Sequence, residues 1–163
     1  MSIYTIADLH LSIGAGVEKS MEVFGRRWQG YTEKLKKNWC AVVEPDDSVI
    51  IPGDISWALC LAEALEDLKF INALPGTKYL GKGNHDFWWT TQKKMNEFFQ
   101  ANNLNTLRLM HNCAYEAEGY ILCGTRGWFY DDTASGIPDN ADFTKLVNRE
   151  TQRLRLSLEA ARG

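Results

Sequence analysis

The sequence predicts an α/β fold. Short β-branched runs alternate with longer stretches whose apolar residues recur every three or four positions, the two kinds follow each other in strand, loop, helix order, and no internal repeat or linker interrupts them. Ser2 to Ala7 is the first strand. From Trp28 the apolar positions Trp28, Tyr31, Leu35, Trp39 and Val42 share one helical face, with Glu33, Lys34, Lys36 and Lys37 on the other, until Pro45 ends the helix. Ser48 to Pro52 is a second, fully apolar strand. Leu61, Leu65, Leu68 and Ile71 mark the next helix, on which Asp67 is expected at the surface, and Pro75-Gly76 stops it. Thr77 to Leu80 is a third strand, followed by a helix with Met95, Phe98 and Phe99 on its apolar side. Thr106 to Met110, Cys113 to Ala117 and Tyr120 to Gly124 read as closely spaced strands turning at Asn112 and Glu118-Gly119, which makes the architecture mixed rather than purely parallel. A loop from Gly127 to Asp142 precedes a final helix, whose apolar stripe is Phe143, Val147, Leu154 and Leu158.

Composition narrows the function. At 163 residues the chain fits one domain, 1–163, and a chain of this size buries roughly 70% of its unfolded surface. With 45% hydrophobic and 24% charged residues it has globular composition, which excludes a disordered or fibrous scaffold. Lys and Arg total 18 against 21 Asp and Glu, a net charge of -3, so no basic excess exists to hold long nucleic acid or anionic lipid. No apolar segment has the length of a bilayer span and no signal-like leader opens the chain, so the expected location is cytoplasmic. Cys40, Cys60, Cys113 and Cys123 form no C-x-x-C pair and are expected as reduced, mostly buried thiols.

The chemistry collects at three strand ends, where loops aim side chains into a crevice while strands hold them in place. The first carries Asp8-Leu9-His10, the second Gly53-Asp54 and the third Gly83-Asn84-His85-Asp86. Each alone has an ordinary explanation, as a turn aspartate, a strand-end turn or a helix cap. Their coincidence on successive strand ends is the signal: carboxylate, imidazole and amide oxygen together suit borderline divalent ions such as Mn²⁺, Fe²⁺ or Zn²⁺.

In order and spacing these motifs resemble the calcineurin-like metallophosphoesterase superfamily of dinuclear metal hydrolases, over roughly residues 3 to 128. The resemblance implies a mixed-sheet αββα sandwich and two divalent metal ions. Asp8 and His10 match ligands of the first ion, Asp54 the carboxylate bridging both, and Asn84 a ligand of the second. His85 matches the residue that contacts the phosphate and protonates the leaving group. The implied reaction is attack of activated water on a phosphomonoester or phosphodiester, and the implied partner is a small phosphoester, nucleotides among the candidates.

The sequence also departs from that pattern. A further histidine and a late Gly-His-x-His element are missing, and His111 reads as a turn or packing residue. The final helix has no following strand to cover its stripe, so the chain is expected to be the N-terminal part of a longer fold and to self-associate through uncovered surface. The alternative function is a silent remnant holding one metal or a protein partner. Gly53-Asp54-Ile55-Ser56 lacks the second Asp and the Arg of the protein serine/threonine phosphatases. Gly76 to Gly83 comes within one residue of a P-loop, but Gly83 replaces the Mg²⁺-binding Ser or Thr and the segment reads as a strand. Phe87, Trp88 and Trp89, and Trp128, Phe129 and Tyr130, are expected chiefly in packing, with stacking of a base or aryl group as the functional alternative. Lys145, Arg149, Arg153 and Arg155 are expected as a solvated face.

Overall fold

The structure is a computed structural model that describes residues 1–14, 19–126 and 141–162, with side chains from 144 onward in the last segment. The expected loop from Gly127 to Asp142, with Trp128, Phe129 and Tyr130, and the Phe143 side chain lie outside the described residues. The chain falls into two compact units, 1–109 and 110–163.

In the first unit, four runs register side by side as parallel strands: β1 Ile3–Thr5, β2 Ser48–Ile51, β3 Thr77–Leu80 and β4 Leu107–Leu109, in that order. Tyr4 stands beside Val49, Ile50 beside Tyr79 and Leu80 beside Leu109. Parallel neighbours require crossovers. These are α1 Tyr31–Val42, α2 Leu65–Ala73 and α3 Gln92–Ala101, close to the expected positions. Val49, Ile51 and Leu80 of the central strands meet Trp39, Leu68 and Met95 of the helices in one buried cluster. Each such side chain contributes about 1.5–3 kcal/mol by leaving water. The P-loop reading fails here, because Thr77–Leu80 is a strand and no helix opens at Gly83.

The readings of Trp28 and of the Thr106 segment are corrected in this unit. Trp28 does not lie on α1 but in a short 3₁₀ turn, Arg26–Trp28, because Gly25 and Gly30 take φ of 112° and 60° and break the chain into turns before the helix begins. Thr106 to Met110 does not join the antiparallel strands. Its core, β4, pairs with β3, where Lys78 donates its amide to the Thr106 carbonyl and Leu107 and Leu109 are buried.

Lys78 is fully buried in β3, and its ammonium donates to the carbonyls of Asn72, Leu74 and Gly76 around the end of α2. Burial pushes its pKa down to about 8. The folded chain therefore releases this proton before the unfolded chain does. Stability is expected to rise with pH between about 8 and 10.5, by up to about 3 kcal/mol. Denaturant melts of wild type and Lys78→Met across this range check it, because the variant should lack the rise.

The second unit contains the hairpin β5 Ala114–Ala117 and β6 Tyr120–Cys123, paired antiparallel, and the helix α4 Ala141–Ala160. Its turn is where the sequence placed it: Glu118 and Gly119 take φ of 54° and 77°, the left-handed pair that matches strand twist. The packing of α4 is a correction. Among its described side chains the buried ones are Glu150 and Ser157, while Val147, Leu154 and Leu158 of the expected stripe are exposed. The Ser157 hydroxyl donates to the Cys113 carbonyl at 2.6 Å and accepts the Gly124 amide at 3.0 Å. Burial alone would raise the Glu150 carboxyl; the hydrogen bond and charge of Arg126, with Arg153, outweigh it and hold the group below its usual range. Arg149 and Arg153 also face Glu150, at 3.4 and 2.6 Å, so part of the expected solvated face is engaged. A buried carboxylate needs such partners, whereas exposed leucines do not.

Among the described residues the four cysteines form no disulfide, but Cys40 and Cys60 are exposed and Cys113 and Cys123 half-buried, which corrects the expectation of buried thiols. Among the described residues, no helix is long and apolar enough to cross a membrane.

Candidate metal centre

Beyond β1 and β2 the chain continues as two loops zipped together. Asp8 donates its amide to the Gly53 carbonyl, His10 to Asp54 and Leu11 to Ile55, and Trp57 donates back to Leu11, closing a parallel bridge between Leu11 and Ser56. The loop after β3 docks against the second of these. A Cβ at Gly83 would overlap the Asp54 amide and Oδ1, and one at Gly53 would overlap the Gly83 backbone. Only glycine permits this approach, which explains why each candidate ligand, Asp54 and Asn84, follows a glycine.

Asp86 locks the junction. Its Oδ2 accepts the amides of Asp54 and Gly83 at 2.9 and 2.8 Å, and its Oδ1 accepts those of Ile55 and Ser56 and the Trp88 indole N–H at 2.8, 3.3 and 3.0 Å. The residue is fully buried, and burial pushes its carboxyl above the usual range against the pull of those donors. Sequence reasoning passed over Asp86 as a helix cap; its place as fourth residue of Gly-Asn-His-Asp was the available signal. Asp67 is a correction. Instead of lying at the surface it is buried, accepting the Ser56 hydroxyl and, at 2.7 Å, the Ile13 amide, so it tethers the loop after Leu11.

The result is a convergence of three ligand-type side chains. Asp8, His10 and Asp54 each offer one donor atom, all within 4.8 Å of one another. His10 Nε2 stands 3.8 Å from Asp8 Oδ1 and 3.7 Å from Asp54 Oδ2, beyond hydrogen-bond range. With ligand bonds of about 2.0–2.2 Å, donors sharing one cation stand up to about 4 Å apart. All three residues take left-handed backbone, φ 58°, 44° and 53°, a conformation that disfavours side chains and gathers at functional sites. Among the described residues, the other non-glycine positions with positive φ, Asn103, Asn112 and Glu118, are outside these loops. Burial holds the His10 imidazole below its usual pKa, opposed by the Asp54 and Asp8 carboxylates. A neutral imidazole is the form that binds metal.

His85 joins the same site. Its amide donates to Asp54 Oδ1 at 3.0 Å, and its ring lies 5.6 Å from that of His10. Asn84 is exposed on the same loop, between the glycine packed on Asp54 and the histidine bonded to it. His111 occupies the bend before β5, where its amide donates to Cys113 Sγ. Of the aromatics after His85, Trp88 is buried and Trp89 packs on the core, as expected, while Phe87 is exposed beside the His85 ring.

Comparison with known proteins agrees with this geometry. Residues 1–152 match the family described as calcineurin-like phosphoesterase. The chain belongs to that family. The match spans both units, so the three strand-end loops and the hairpin are parts of one family pattern. No curated protein matches the chain. A crystal structure of a protein of unknown function from Aquifex aeolicus is similar over 91% of this chain and 72% of that one, with 19% identity and a TM-score of 0.47. The donor set of two carboxylates and one imidazole fits the divalent metals that calcineurin-like phosphoesterases use.

Proposed function

We propose that the protein is a metal-dependent phosphoester hydrolase. The observation that carries this reading is the convergence of Asp8, His10 and Asp54, each in left-handed backbone, on one point at the strand ends. Asp8, His10 and Asp54 would hold the first divalent ion, and Asp54 with Asn84 would hold the second. Mn²⁺, Fe²⁺ and Zn²⁺ all suit this mixture of oxygen and nitrogen. When bound, such ions offset charge on the phosphoryl oxygens and make hydroxide available near neutral pH.

The chain's own residues do the rest. The Leu11–Ser56 bridge and Asp86 keep the ligands preorganised, so little reorganisation accompanies binding. His85, held by its amide on Asp54, donates a proton to the departing alkoxide. The substrate is a small phosphoester, nucleotides among the candidates. The second reading, a silent protein that holds one ion, is favoured by the lone triad: among the described residues no second group of three or more His, Cys, Asp or Glu converges in this way.

His85 separates the two readings. At saturating Mn²⁺ the wild type is expected to hydrolyse aryl phosphoesters, and His85→Asn to lower turnover far more than metal content. The loss should be larger for an alkyl ester than for a nitrophenyl ester, whose leaving group departs without a proton. Loss of bound metal in this variant would make His85 a ligand instead. Absence of turnover in the wild type, with metal bound, would favour the silent protein.

A further inference from the structure

A histidine that ligates a metal ordinarily donates its other ring N–H to a carboxylate or carbonyl, which fixes the ring's direction. His10 departs from that arrangement. Its Nε2 faces Asp8 and Asp54, while Nδ1 is buried with no hydrogen-bond partner among the described residues. A ring contact stands there instead. The Trp57 indole lies flat against the imidazole, with ring centroids 4.3 Å apart and planes 14° from parallel. The same indole meets the His85 ring at 4.9 Å and 58°. Its own Nε1 is buried without a partner among the described residues, so it is the ring face of this tryptophan that makes its contacts with the site.

The backbone aims Trp57 there. Its amide is the last rung of the bridge joining the two ligand loops, three residues after Asp54, so indole and imidazole leave rungs of one ladder that are separated only by the bond from Leu11 to Ile55. Lys19 Nζ lies 4.1 Å from the centre of the indole, a cation on the ring that braces it further.

We infer that Trp57 is a positioning residue of the metal centre: its indole, stacked on His10 and bordering His85, sets the direction of both imidazoles. The inference rests on the metal reading above. It separates ring stacking from simple volume filling, because Phe at position 57 keeps a flat face whereas Leu fills space without one.

The test uses the full chain with Mn²⁺ as probe, in wild type, Trp57→Phe and Trp57→Leu. Proton NMR of the metal-free proteins should show His10 ring signals moved by the indole ring current, a shift altered in Trp57→Phe and lost in Trp57→Leu, with the His111 signals constant. Calorimetric titration should show Mn²⁺ affinity within a few-fold of wild type for Phe and lower by about tenfold or more for Leu, the usual cost of removing a group that orients a ligand. Unshifted His10 signals in the wild type, or equal affinity in wild type and a folded Trp57→Leu, would overturn the inference. A wild type that takes up no Mn²⁺ would overturn the metal reading instead, and the ring-current shift would still decide whether Trp57 holds the imidazole.

Discussion

Asp86→Asn is expected to destabilise the protein nearly as much as Asp86→Ala, by more than about 4 kcal/mol, a large share of the 5–15 kcal/mol that holds a typical domain. The alanine variant leaves five buried N–H groups, on Asp54, Ile55, Ser56, Gly83 and Trp88, without an acceptor. An unsatisfied buried donor costs about 1–3 kcal/mol. The asparagine variant keeps the shape but turns one oxygen into an NH₂ that faces two or three other donors. A chemical denaturation series on both variants decides this. A folded Asp86→Asn protein of wild-type stability would mean that shape and not acceptor capacity matters at this junction.

Asp54→Asn should act on chemistry with much less effect on folding. The amide oxygen can still accept the His85 amide that Asp54 Oδ1 accepts, but an NH₂ replaces the oxygen that faces His10. The proposed centre would lose a negatively charged ligand, so Mn²⁺ affinity should fall by at least about 100-fold and hydrolysis to background. Glu66→Gln is the matched control, since Glu66 is exposed on α2 and pairs only with Lys69 at the surface. Asp67, one position on, is unsuitable because it is buried and tethers Ser56 and Ile13. Equal activity in Asp54→Asn and wild type would remove Asp54 from the site.

The contrast between Glu66 and Asp67 shows what could be read from the sequence. The strand ends were legible because strands end where apolar runs stop, and the glycines before Asp54 and Asn84 mark the close approach of two loops. Asp8, His10 and Asp54 lie together, and the His85 amide donates to Asp54. Adjacent acidic residues on one helix carry no local sign of which one a distant loop will use, so the burial of Asp67 was hidden. The packing of α4 was hidden for a similar reason: leucine spacing marks an amphipathic helix, but the buried face is fixed by Glu150 meeting Arg126, and by Ser157 meeting Cys113 and Gly124. Trp57 carries no motif at all. Its role follows from the bridge between two loops, which only the folded backbone reveals.

The central claim is that Asp8, His10 and Asp54 hold a divalent cation, and calorimetric titration of the chain with Mn²⁺ tests it most directly. One ion per chain is expected to bind at the three-ligand position first, with the second, held by Asp54 and Asn84 alone, entering only at higher concentration. His10→Ala and Asp54→Asn should each remove the first event, and Glu66→Gln should leave it unchanged. Absence of Mn²⁺ uptake by the wild type, or uptake that survives both His10→Ala and Asp54→Asn, would contradict the account.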